Sequence, residues 1–374
     1  MKYISRPLSQ DPALTAMFPD TDPGTFFLDI ETTGLRADES YLYLIGAADC
    51  SVGADGTAVW TYHAWFGREM LDEQKILREF LRFAGEHDTC VTFSGKRFDI
   101  TYLNRCMQEY YLDSASFDHL IFQDYLSMLR PIQNLLSVSR SRLSVWEERT
   151  GRDREDSECL LSGAEMSALF QNAPKPFPDE IMEALLLHNR CDLQSLVLLK
   201  RLLAYPALAD QALTFTAKRN VDGATLSAVL PEAMPLPVYR FSGDYECKIE
   251  GCCVTITVFE STDACRLYFP DFRNYYVVAG ENGVIHKDLA ALLPKEMCKK
   301  ATPETCYQTV SGRFLPMPLP AAESIRTATD GEASLTVLKR SFDAACGYVR
   351  ADDAYSDLSA YGREFLRRIL LSAE

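Results

Sequence analysis

The segment Phe27-Leu28-Asp29-Ile30-Glu31-Thr32-Thr33-Gly34-Leu35 sets two carboxylates into an apolar stretch that ends in a turn signal. The apolar residues predict a short strand. Strand side chains alternate between two faces, so Asp29 and Glu31 project from the same face. Two acids that close repel each other, and a bound divalent cation is the commonest reason to keep them. On an exposed edge the pattern would mean only a solvated face, but the apolar neighbours favour a functional site.

The composition indicates a globular chain with room for two domains. Of its 374 residues, 47% are hydrophobic and 24% are charged, which is ordinary for a soluble protein. No signal peptide and no apolar run of roughly 20 residues is present, so we expect no membrane association. Twelve cysteines without a Cys-x-x-Cys pair predict free thiols in a reducing cytoplasm. A net charge of −15 argues against a broad nonspecific nucleic-acid surface but not against a nucleic-acid enzyme.

The order of predicted elements divides the chain into three regions. Residues 1–24, rich in Pro, Asp and Ser, predict an irregular N-terminal arm. Residues 25–205 alternate strands and helices, which predicts an α/β domain. Residues 206–374 predict a smaller, strand-rich α+β region of unknown role, with a helix near its end. In the α/β domain we predict strands 26–30, 41–48, 58–66 and 90–93, and helices 69–83, 100–110, 122–129, 143–150 and 178–203.

Three further residues of the α/β domain could carry chemistry. Asp99 follows the Ser94-Gly95 turn and opens a predicted helix, where an acid often serves only the helix terminus. His188 and Asp192 are four residues apart in the long predicted helix, so they share one helical face. Each of these features is common by itself, and only their combination with the strand acids is informative.

In this order, Asp29, Glu31, Asp99 and Asp192, with a base four residues before the last acid, resemble the DEDD (DnaQ-like) exonuclease superfamily. The chain is most similar to its YprB-type ribonuclease H-like proteins, over about residues 25–205. The resemblance implies a ribonuclease H-like fold, a mixed β-sheet flanked by helices. It also implies two-metal-dependent phosphodiester hydrolysis, as a 3′–5′ exonuclease on DNA or RNA. The implied partner is nucleic acid, and no protein partner is indicated.

The resemblance also assigns roles to these residues. Asp29 would bridge two Mg²⁺ or Mn²⁺ ions, Glu31 and Asp192 would help bind the ion on the nucleophile side, and Asp99 would support the second ion. His188 would orient or deprotonate the attacking water. In the superfamily's histidine branch the base commonly lies five residues before the last acid, so the spacing of four found here changes where His188 points.

Other functions and roles stay open at this level. A catalytically silent nucleic-acid-binding or scaffold module is disfavoured because all four acids are present. A ribonuclease H-like endonuclease would differ mainly in its substrate groove. Asp124 is predicted to support the site rather than to bind metal. The arginine-rich stretch 130–154 could contact phosphates or form a solvated helix face, and Ser94 stands where related sequences often have asparagine.

Overall fold

The computed structural model describes residues 1–54, 56–139, 142–152, 161–280, 283–319 and 335–371. The chain divides into two units. The first contains Met1–Arg130 and Val138–Leu203, and the second contains Pro131–Ser137 and Ala204–Glu374.

The first unit is built on a mixed sheet of six strands. The strands are β1 Lys2–Pro7, β2 Thr25–Thr32, β3 Leu42–Val52, β4 Ala58–Phe66, β5 Thr89–Thr92 and β6 Ile121–Asp124. Their spatial order is β1-β4-β3-β2-β5-β6. Strands β1, β4, β3 and β2 pair antiparallel in that order, whereas β5 pairs parallel with both β2 and β6. Strands β2 and β3, which follow each other in the chain, form an antiparallel hairpin.

Eight helices accompany this sheet in the described residues. They are α1 Pro12–Thr15, α2 Glu73–Ala84, α3 Asp99–Glu109, α4 Ala115–Asp118, α5 Tyr125–Leu129, α6 Leu143–Glu147, α7 Gly163–Gln171 and α8 Asp179–Leu199. On one face of β2, Phe26, Leu28 and Ile30 are buried in a core shared with the apolar stripes of α2 and α3. The alternate residues of β2 therefore face the other side, which carries the acids.

Two predictions about this unit are wrong in part. We expected an irregular arm over residues 1–24, but Lys2–Pro7 pairs antiparallel with β4. As an edge strand it exposes most of its side chains, so it lacks the apolar alternation that marks a strand. The helix predicted over 122–129 begins only at Tyr125, because Ile121–Asp124 forms β6. Short apolar runs do not distinguish a strand from a helix by their pattern.

The second unit is strand-rich, as predicted. Its helices are α9 Ala204–Leu208, α10 Lys287–Ala290, α11 Ala351–Ser356 and α12 Leu358–Leu371. The described residues form a five-stranded antiparallel sheet, a closed four-stranded barrel and a three-stranded sheet. Cys265, Phe314, Leu338 and Tyr348 fill the core of the barrel. The strands are β7 Thr216–Asn220, β8 Gly223–Val229, β9 Val238–Phe241, β10 Tyr245–Glu250, β11 Cys253–Phe259, β12 Ser261–Tyr268, β13 Tyr275–Val278, β14 Val284–His286, β15 Cys298–Lys300, β16 Tyr307–Pro318, β17 Leu338–Lys339 and β18 Cys346–Arg350.

The cysteines and the apolar helices bear on two further expectations. Cys50, Cys90 and Cys106 are buried free thiols, as expected. Cys191 is disulfide-bonded, which the prediction of free thiols missed because sequence spacing does not show which cysteines meet in space. Across the described ranges, the structure contains no helix whose length and apolar character would let it cross a bilayer.

Candidate active site

Strand β2 holds the first two acids on the face opposite its apolar core. Glu31 is buried, with 8% of its surface exposed. The pairing of β2 with β3 contains a β-bulge. Glu31 pairs with Leu44 and Thr32 pairs with Leu42, so Tyr43 is an extra residue on β3. Such a bulge turns the side chains that follow it onto the other face. Tyr43 is buried, and its hydroxyl has no hydrogen-bond partner among the described residues.

Asp29 is held by a side chain from α8. Asn189 is fully buried, and its Nδ2 donates to Oδ2 of Asp29 at 2.7 Å and to the Asp29 carbonyl oxygen at 3.2 Å. The Oδ1 of Asn189 accepts from the Tyr62 hydroxyl on β4 at 2.9 Å. Gly46 pairs with Asp29 across the sheet. A Cβ at Gly46 would lie 1.7 Å from Oδ1 of Asn189, so only glycine lets this amide approach.

Asp99 reaches β2 from the start of α3. It is the first residue of that helix and is buried, with 6% exposed. Its Oδ1 accepts the backbone N–H of Ile30, which lies between Asp29 and Glu31, at 3.2 Å. The carboxylate is thus directed at the strand acids, and it is more than a solvated first-turn residue.

Asp124 supports the turn that leads into Asp99. Its Oδ1 accepts the N–H of Ser127 at 3.3 Å as the N-cap of α5, and the N–H of Ser94 at 3.1 Å. Ser94 has a φ of 63°, a strained value for a residue with a side chain. The Asp124 carboxylate therefore stabilises a turn whose conformation is otherwise unfavourable, which agrees with the supporting role predicted for it.

His188 lies between an acid of α8 and an acid of β2. Its Nε2 is 3.5 Å from Oδ2 of Asp192 and 3.8 Å from Oε1 of Glu31. These are ion-pair distances, longer than a good hydrogen bond. The ring is buried, with 7% of the residue exposed. The predicted sharing of one helical face by His188 and Asp192 is confirmed, and that face points at β2.

The acids act on one another electrostatically. Burial raises the pKa of Asp29 well above its usual value, and the charges of Glu31, Asp192 and Asp99 raise it further. Burial likewise raises the pKa of Glu31, with added repulsion from Asp192 and Asp99. Burial raises the pKa of Asp99 to about 7, against the lowering effect of the Ile30 N–H. The structure therefore brings together all five predicted residues, Asp29, Glu31, Asp99, His188 and Asp192.

These side chains have the type of ligand atom that a hard cation prefers, but their spacing in this structure does not form a metal site. Four carboxylates offer the oxygen ligands that Mg²⁺ and Mn²⁺ prefer. Among the described residues, however, no group of three or more His, Cys, Asp or Glu side chains is arranged so that it could hold a metal ion. Mutual repulsion favours a spread arrangement. The donor chemistry of these side chains therefore fits a divalent cation.

Three contributors to the site were missed in the sequence. Asn189, Tyr62 and Gly46 carry no recognisable catalytic pattern, and only their contacts show that they meet at Asp29. The one available signal was the position of Asn189 between His188 and Asp192 on the same helix.

Arg152, from the arginine-rich stretch, has neither of the two expected roles. Its guanidinium donates to the Cys191 carbonyl oxygen at 2.5 Å and to Oε1 of Gln194 at 2.6 Å, and it pairs with Glu147 at 3.1 Å. Burial in these contacts makes it part of the packing around α8, because a guanidinium with several fixed acceptors is unavailable to phosphate or solvent. Arg140 and Arg154 lie outside the described residues.

Comparison with known proteins gives a family match for part of the chain. Residues 26–204 match the model of a family described as the RNase_H superfamily. A comparison with curated proteins gives no significant match. The first unit therefore contains a ribonuclease H-like domain, and the predicted fold class, an α/β protein with a mixed sheet flanked by helices and a strand-rich C-terminal region, is confirmed.

Comparison with solved structures gives distant similarities only. The family B DNA polymerase from the hyperthermophilic archaeon Pyrobaculum calidifontis is 12% identical with a TM-score of 0.39, over 69% of this chain and 37% of that chain. The zinc-bound form of the E. coli ExoI-ssDNA complex is 10% identical with a TM-score of 0.30, over 60% and 54%. The ExoI/SSB-Ct complex is 10% identical with a TM-score of 0.29, over 60% and 55%. This chain thus spans between about a third and just over half of these relatives.

Proposed function

We propose that this chain is a DEDD-type nuclease that hydrolyses nucleic acid with two divalent cations, as a 3′–5′ exonuclease on DNA or RNA. The observation that carries the proposal is the convergence of carboxylates from β2, α3 and α8: Asp99 accepts the N–H of Ile30 between Asp29 and Glu31, and the His188 Nε2 lies 3.8 Å from Glu31 and 3.5 Å from Asp192. The match of residues 26–204 to the RNase_H superfamily supports it. The resemblance of the motifs to YprB-type proteins supports the narrower assignment.

The raised pKa values of the acids favour an enzyme over a silent binding module. Burial and repulsion raise the pKa of Asp29 and Glu31, so keeping both ionised at neutral pH destabilises the folded protein. A scaffold would gain stability by replacing them with neutral residues. Divalent cations offset the repulsion, and a hydrolytic function explains why the acids are kept.

The side chains suggest a division of labour. When bound, two Mg²⁺ or Mn²⁺ ions would polarise the attacking water and stabilise charge on the leaving oxygen. Asp29, Glu31, Asp99 and Asp192 would hold these ions. His188, flanked by Glu31 and Asp192, would accept the proton of the attacking water, and the two acids would stabilise the imidazolium that results.

A cleavage assay tests this proposal. Single- and double-stranded DNA and RNA, labelled at the 5′ end, are incubated with Mg²⁺ or Mn²⁺ and resolved by length. We expect a ladder that shortens from the 3′ end and disappears with chelator or Asp29→Ala. Asp113→Ala, which removes an exposed carboxylate of the same unit, is the matched control and should keep full activity. Cleavage that persists in Asp29→Ala, or no cleavage of any substrate, refutes the proposal.

A further inference from the structure

Side chains on one face of helix α8 contact both acids of β2. Successive residues of a helix are rotated by about 100°, so His188, Asn189 and Asp192 lie within a single arc of that width. His188 approaches Glu31, whereas Asn189 donates to Asp29. The helix therefore contacts each of the two strand acids with a different side chain.

The hydrogen bonds of Asn189 have only one consistent direction. Both Asp29 atoms that face it, Oδ2 and the backbone carbonyl oxygen, are acceptors, so the amide nitrogen must face Asp29. The amide oxygen then faces Tyr62, whose hydroxyl donates to it at 2.9 Å, closer than its other acceptor, the Leu186 carbonyl oxygen at 3.4 Å. A flipped amide would place its oxygen against the Asp29 carboxylate, where the two would repel each other. Tyr62 thus fixes the orientation of Asn189, and Asn189 fixes that of Asp29.

We infer that Asn189 is a positioning residue that orients the Asp29 carboxylate for cation binding, and that Tyr62 holds Asn189 in place. This inference rests on the proposed function. Asn189 is fully buried and donates to one carboxylate oxygen at 2.7 Å, so the carboxylate cannot rotate freely and its second oxygen is presented in a fixed direction. Groups that orient metal-binding side chains in this way typically change metal affinity by about 10–100-fold when removed.

The test measures Mn²⁺ affinity by isothermal titration calorimetry, alongside cleavage and urea denaturation. Asn189→Ala should weaken Mn²⁺ binding by about 10–100-fold. Tyr62→Phe removes one hydroxyl and should weaken it several-fold. Tyr205→Phe is the matched control: Tyr205 is equally buried, and its hydroxyl hydrogen-bonds to Leu236 in the second unit. It should lose similar stability but keep wild-type Mn²⁺ affinity.

The outcomes separate this inference from the proposed function. Folded Asn189→Ala protein that binds Mn²⁺ as tightly as wild type overturns the positioning role. Tyr62→Phe protein that matches Tyr205→Phe in both stability and Mn²⁺ affinity overturns the part assigned to Tyr62. If wild-type protein neither binds Mn²⁺ nor cleaves nucleic acid, the proposed function itself is overturned. Weaker Mn²⁺ binding in both variants at unchanged control affinity supports the inference.

Discussion

Gly46→Ala should damage the site from the neighbouring strand β3, where Gly46 lies opposite Asp29 on the same face of the sheet. The added methyl group would lie 1.7 Å from Oδ1 and 2.6 Å from Cγ of Asn189. An ordinary contact begins at 3.4 Å, so the amide must retreat by about 1.7 Å or the strands must separate. The bond from Nδ2 to Asp29 is 2.7 Å long, and hydrogen bonds longer than about 3.2 Å are weak. A displacement of that size breaks it.

The free energy of unfolding should fall by an amount that denaturation measures easily. Overpacking a well-filled core costs about 1–3 kcal/mol, and losing a hydrogen bond to a charged group costs about 1.5–3 kcal/mol. Since the two losses share one displacement, we expect a total of about 2–5 kcal/mol. A whole domain is stable by only about 5–15 kcal/mol, so the variant should be weakened but still folded. Its Mn²⁺ affinity should fall with that of Asn189→Ala.

A double-mutant cycle isolates the contact. In Asn189→Ala protein the amide is absent, so adding Gly46→Ala should cost little further stability, and the coupling energy should approach the full cost of Gly46→Ala alone, about 2–5 kcal/mol. Gly163→Ala is the control, because a Cβ there meets nothing within 4 Å. Urea denaturation of all four members of the cycle measures the coupling. Additive losses, or a Gly46→Ala variant with wild-type stability, would refute the clash.

Three further predictions concern the acids and the base. The free energy of unfolding of the metal-free protein should fall as pH rises. Burial raises the pKa of Asp99 in the folded state to about 7 from an ordinary 3.8. The stability that protonated Asp99 contributes is therefore complete below about pH 4 and lost by about pH 7, a change of roughly 4 kcal/mol. Asp99→Asn should flatten this slope in urea denaturation with chelator, and an unchanged slope would contradict the assignment. His188→Asn should lower cleavage by about 10²–10⁴-fold while Mn²⁺ affinity changes less than about tenfold; equal losses in both would make His188 a metal ligand instead. Asp124→Ala should lower stability by about 1–2 kcal/mol through the lost N-cap, with Mn²⁺ affinity within a few-fold of wild type. A loss of Mn²⁺ binding as large as that of Asp29→Ala would show that Asp124 binds metal.

The fold was predictable where the pattern of apolar residues reflects burial. Phe26, Leu28 and Ile30 alternate because one face of β2 lies in the core, so the strand and its acids were evident. Strand β1 was missed because an edge strand exposes its side chains and obtains its stability from backbone pairing with β4. Pattern reasoning detects the burial of side chains, and it does not detect a strand whose side chains remain in water.

In the candidate site the acids were predictable from the sequence, whereas the residues that orient them were not. Carboxylates that hold cations have few chemical substitutes, so Asp29, Glu31, Asp99 and Asp192 stand out in the sequence. The residues that orient them have many substitutes, since any donor that reaches the carboxylate can serve. Gly46 is informative only once its register opposite Asp29 is known, and Tyr62 only once Asn189 is placed. Their roles depend on three-dimensional proximity, which residue types and spacing do not encode.

The balance of charge in the site explains why the supporting donors matter. Neutral donors reach Asp29 and Asp99: the Asn189 amide donates to Asp29, and the Ile30 N–H donates to Asp99. Each donor lowers the pKa of its carboxyl group, yet burial and repulsion still raise the pKa of both acids. The donors therefore offset only part of the repulsion while fixing the directions of the oxygens. Divalent cations would offset the remainder, so affinity for metal should depend on the neutral donors as well as on the acids.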